Sequence, residues 1–133
     1  MLHVKYFTIP KNTPSTSPKV DRVELIGEVL ERVVILIPSG HVGLTGLQIY
    51  YGDYQLIPQP KGEWLKGDNV LLNVPVMFEL PEYETTLQLR GYNEDDTYDH
   101  TFYLYFITVS RETATWQKQF INMLRRLLRG LGV

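Results

Sequence analysis

The sequence predicts an all-β protein: a jelly-roll-like antiparallel β-sandwich with an extended N-terminal arm or loop and a C-terminal amphipathic α-helix. Three observations predict it. Short segments rich in β-branched and aromatic residues recur between dense turn signals. Two of these segments are apolar on both faces. After residue 110 the hydrophobic period changes from two to 3.6.

The expected strands are His3–Ile9, Val20–Ile26, Glu28–Ile37, Leu44–Tyr51, Tyr54–Ile57, Val70–Glu79, Thr85–Tyr92 and Thr101–Val109. In "TTLQLRGY", Leu87 and Leu89 alternate with Gln88 and Arg90, the pattern of a strand with one buried face. In "TFYLYFITV", Phe102, Leu104 and Phe106 alternate with Tyr103, Tyr105 and Ile107, so both faces are apolar. "ERVVILIP" has the same character, which marks strands that are central or covered on both sides. Gly52-Asp53 between two tyrosine-bearing runs is a two-residue hairpin signal. Periodicity leaves the strand order open.

Two segments depart from this pattern. Residues 9–20, "IPKNTPSTSPKV", hold three Pro and four Ser/Thr with no hydrophobic period, which predicts the extended arm or loop. At 100° per residue, Trp116, Phe120, Ile121, Met123, Leu124, Leu127, Leu128 and Leu131 fall within an arc of about 160°. Lys118, Asn122, Arg125, Arg126 and Arg129 occupy the opposite side. The expected division is a sandwich over 1–110 and a helix over 111–133, with Thr113 or Thr115 as the cap and Gly130 near the end.

A length of 133 residues suits one domain, and 44% hydrophobic with 21% charged residues excludes disorder. There is no Cys, which removes disulfides, thiolate metal sites and thiol nucleophiles. No basic stretch followed by an apolar run opens the chain, and no run approaches a membrane span, so neither a standard secretory signal nor a spanning helix is expected. The net charge of −2 is divided unevenly: residues 111–133 hold five bases and one acid, or +4, leaving −6 on residues 1–110. An acidic body argues against a nucleic-acid partner.

The chemistry-bearing stretch is "GYNEDDTYDH", Gly91–His100. Asn93, Asp95, Thr97 and Asp99 have the spacing of a calcium loop. The Gly and the bidentate Glu that such a loop requires are replaced by Tyr98 and Leu104. Asn93, Asp95 and Asp99 are therefore only a weak metal candidate. The expected reading is a solvent-facing loop whose Asn and Asp bond local backbone. His3, His41 and His100 are dispersed, and no nucleophile–base or zinc motif is present, so no cofactor and no enzyme activity are expected. Tyr50, Tyr51, Tyr54 and Trp64 lie near loops and are candidates for stacking on a sugar, the alternative carbohydrate-binding reading.

The helix stripe needs a cover. Its own sheet, a second chain and a membrane surface are the options, the membrane being disfavoured for want of an anchor. Trp116, Phe120, Ile121, Leu124, Leu127 and Leu128, with Arg125 and Arg129, form the expected interface. The stripe is expected to be buried, in part against another chain.

The segments "FTIPKNTPSTSP", "ELIGEVLERVVILIPSGHVGLTGLQIYYGDYQLIPQ" and "LRGYNEDDTYDHTFYLYFITV" resemble, over about residues 6–109, small β-sandwich structural proteins of tailed bacteriophages. The resemblance implies a virion component assembled in the host cytoplasm, such as a capsid decoration protein or a tail or connector subunit. Its partners would be further copies of itself and other virion proteins. It carries over no functional residues, and the C-terminal helix lies outside it.

Overall fold

Alternating side chains build each strand where the period of two places it. In the computed structural model, which describes residues 1–130, these are β1 (Leu2–Ile9), β2 (Lys19–Ile26), β3 (Val29–Ile37), β4 (Thr45–Tyr51), β5 (Tyr54–Ile57), β6 (Val70–Glu79), β7 (Glu84–Asn93) and β8 (His100–Val109). One helix, α1, spans Arg111–Gly130. Leu131 and the rest of the expected helix lie outside the described residues.

Two antiparallel four-stranded sheets form, in the orders β1-β8-β3-β6 and β2-β7-β4-β5. Every connection crosses from one sheet to the other except the β4–β5 hairpin, the wrapping of an eight-stranded jelly roll. Gly52 turns that hairpin with φ of 55°, the left-handed conformation its first position needs. The sheets enclose Phe7, Ile9, Val33, Ile35, Leu47, Ile49, Leu87, Leu89, Phe102, Leu104 and Phe106. Gly91 lets this core close, since a Cβ there would lie 2.2 Å from Cδ1 of Ile9. The two strands with two apolar faces, β3 and β8, occupy the centre of the first sheet.

The β1–β2, β3–β4, β5–β6 and β7–β8 loops meet at one end. The Pro/Ser/Thr segment there is a loop and not a free arm: Thr13 and Asn93 exchange backbone bonds of 2.8 Å, and Asn12 N donates to Asp95 O at 2.9 Å. At the opposite end, Glu28 accepts from Arg111 N (3.3 Å) and pairs with its guanidinium (3.4 Å). The helix cap is Ser110 rather than Thr113 or Thr115. The Ser110 hydroxyl accepts the Thr113 amide at 3.1 Å, the third helical position that an N-cap serves. The Thr115 hydroxyl instead donates to the Arg111 carbonyl.

Candidate interaction surfaces

Buried Asn93 fixes the "GYNEDDTYDH" stretch. Its Nδ2 donates to the carbonyls of Ile9 (3.1 Å) and Tyr98 (3.0 Å), and its Oδ1 accepts from Asp95 N (3.0 Å). Asp95 accepts from Thr97 N (2.9 Å) and from the His100 imidazole (2.8 Å). These donors, His100 first, hold its carboxyl below the usual carboxylate range. Asp99 accepts from Lys11 N (2.9 Å). Residues 94–99 are a loop whose polar side chains bond backbone, as its Asx chemistry predicts. Gly91–Asn93, however, end β7 and His100 begins β8, and Tyr92, Asn93 and His100 are buried rather than solvent-facing. Asn93, Asp95 and Asp99 do not converge, and among the described residues no three His, Asp or Glu gather to hold a metal.

The histidines are less dispersed than the sequence suggests. Pairing across β1 and β8 and the β3–β4 loop stacks His41 on His100, with ring centroids 4.6 Å apart. Nε2 of His41 lies 3.2 Å from the Thr101 carbonyl, which can only accept, so this nitrogen carries the proton. Nδ1 then accepts from the Thr45 hydroxyl at 2.7 Å. Burial, and next the charge of His100, press the His41 pKa below its ordinary value. At 1% exposure, His41 offers no imidazole that a substrate can reach.

The aromatic candidates separate. Tyr50 is buried, its hydroxyl donating to Gln55 (2.9 Å) and its ring lying under the Arg90 guanidinium (4.3 Å). Trp64 packs edge-on against Tyr92 (4.8 Å). Both help to close the outer face of the second sheet; Tyr50 is thereby withdrawn from any ligand, while Trp64 stays half-buried. Tyr51 and Tyr54 both approach Phe78, at 5.7 and 5.9 Å, beside an open cleft of about 440 Å³ between the β5 and β6 edges.

The outer face of the β1-β8-β3-β6 sheet has no such cover. Three rows run across it in register: Leu2–Ile107–Arg32–Pro75, Val4–Tyr105–Val34–Asn73 and Tyr6–Tyr103–Leu36–Leu71. The one charge within these three rows, Arg32, is paired with Glu31 at 3.0 Å. Tyr6 and Tyr103 meet edge-to-face at 4.9 Å. Leu2 and Leu71 are 60% and 64% exposed. A contiguous apolar patch of this kind marks an interaction surface on a soluble protein.

The α1 stripe is also uncovered. The expectation that Trp116, Phe120, Ile121, Leu124, Leu127 and Leu128 are buried is not met within the chain, where exposures run from 43% at Leu124 to 66% at Trp116. Only Ala114 of the helix is buried. The cause is the junction: Ser110 alone separates β8 from α1, leaving no loop on which the helix can turn back. The helix does not use its own sheet as a cover. No described helix is long and apolar enough to cross a membrane.

Fold and surfaces together define an eight-stranded jelly-roll sandwich with an appended amphipathic helix and two uncovered apolar faces. No family model matches the sequence, nor does any curated protein. Among solved structures it is similar to one described as "Structure of infectious bursal disease virus Gt strain", at 12% identity and a TM-score of 0.37. The match covers 78% of this chain and 32% of that one, so the chain spans about a third of its length. At that score the likeness carries no argument.

Proposed function

We propose that this chain is a non-enzymatic structural protein that self-associates, serving as a virion component such as a capsid decoration protein or a tail or connector subunit. The observation that carries the reading is the uncovered apolar grid on the outer face of the β1-β8-β3-β6 sheet. A central strand with Tyr103, Tyr105 and Ile107 turned outward is stable in water only at a cost that association removes. The fold supplies a background consistent with this, since jelly rolls recur in viral capsid and lectin domains, but the site must carry the function. The carbohydrate reading has less behind it, because one of its four aromatic candidates, Tyr50, is buried and a second, Trp64, packs edge-on against Tyr92.

Light scattering tests the reading. The wild type is expected at a multiple of 15.5 kDa. Tyr105→Asp with Val34→Asp should lower the mass while leaving the β-rich circular dichroism intact, because both side chains point away from the core. A wild type that stays monomeric as its concentration rises would overturn the proposal.

A further inference from the structure

We propose that α1 of one copy docks on the outer face of the β1-β8-β3-β6 sheet of a second copy. The inference rests on the assembly reading and names the contact that builds it. The first turns of α1 touch β3, where Ala114 and Val29 are buried. The large side chains of the stripe and the three rows of the sheet face stay uncovered, and one contact between copies covers both.

Shape favours this pairing. Twenty helical residues extend about 30 Å and a ten-residue strand about 33 Å, so stripe and sheet match in length. An arc of about 160° is broader than the narrow seam by which two helices pair, and it suits a flat layer.

Charge favours it as well. Lys118, Arg125, Arg126 and Arg129 lie opposite the stripe and have no acidic partner among the described residues. With +4 on residues 111–133 and −6 on the remainder, helix-to-helix packing gathers like charges. Helix-to-body packing instead brings a segment of net +4 onto a body of net −6, with the bases turned outward from the contact. The single-residue junction disfavours the same contact within one chain, since helix–strand reversals take about 2–6 residues. In a closed ring or pair the contact recurs once per copy.

The absence of cysteine gives a clean test. Copies bearing Leu124→Cys are mixed under mild oxidation with differently tagged copies bearing Tyr105→Cys, and Leu127→Cys is likewise mixed with Val34→Cys. A disulfide-linked heterodimer, exceeding either homodimer in at least one mixture, is expected. A dominant Leu124→Cys homodimer would show stripe meeting stripe, and a purely intrachain link in the Leu124→Cys, Tyr105→Cys double variant would put the helix on its own sheet. Either result overturns the proposal. So does the absence of any heterodimer, or Phe120-dependent sedimentation with phosphatidylserine vesicles in place of self-association.

Mass measurements separate this failure from that of the assembly reading. If Phe120→Asp with Leu124→Asp leaves the assembled mass unchanged while Tyr105→Asp with Val34→Asp lowers it, assembly stands and this contact falls. If the wild type is a monomer, both fall.

Discussion

Replacing Asn93 by Ala removes three hydrogen bonds from a fully buried position, and the cost follows from the partners left behind. The carbonyls of Ile9 and Tyr98 and the amide of Asp95 each lose their side-chain partner, and the methyl group replaces none of them. At about 1 kcal/mol for each bond, the loss is about 3 kcal/mol. Unfolding entropy of about 2.1 cal/mol/K per residue over 133 residues amounts to about 0.28 kcal/mol/K, so the melting temperature should fall by about 10 °C. Asp99→Ala removes one exposed bond from Lys11 N and should cost about 0.5 kcal/mol, or about 2 °C. Scanning calorimetry at neutral pH, with and without millimolar calcium, reads both. Calcium should leave the wild-type transition within about a degree, since Asn93 and Asp95 are already engaged. If Asn93→Ala melts with the wild type, the loop is not locked as argued. A saturable calcium shift lost in Asp95→Ala with Asp99→Ala would make the stretch a ligand site.

Three further outcomes are expected. His41 has a folded pKa below its ordinary value, so protonation favours the unfolded chain. Its stabilising effect is full above about pH 6.5 and is lost as pH falls below that, and His41→Gln should flatten the dependence of melting temperature on pH in that range. Asp95, whose pKa is also lowered, loses its contribution only near and below about pH 4, so the two effects occupy separate windows. Ser110→Ala should destabilise α1 by about 1 kcal/mol, seen as faster amide exchange in its first turns with little change in the sheets. Gly91→Ala drives a methyl group against Ile9 and Phe7 and should cost about 1–3 kcal/mol in denaturant unfolding.

The sequence by itself determined the elements. Eight strands and the helix lie where side-chain period and turn residues put them, because alternation and the 3.6-residue repeat are local properties that each segment carries alone. It also determined that the acidic part of "GYNEDDTYDH", residues 94–99, is a loop, since Asx side chains bond backbone two residues away. Apolarity on both faces of Glu31–Pro38 and Thr101–Val109 marked these strands as central, which they are. Tertiary structure decided what depends on distant residues. The strand order rests on pairings such as Leu2 with Ile107, over a hundred positions apart, which no local period encodes. The stacking of His41 on His100 and the covering of Tyr50 by Arg90 and Gln55 arise the same way. So does the uncovered state of the sheet face and of α1. A sequence shows that a surface is apolar; only the packed chain shows whether anything in that chain is placed to cover it, because covering depends on how loops and junctions direct each element in space.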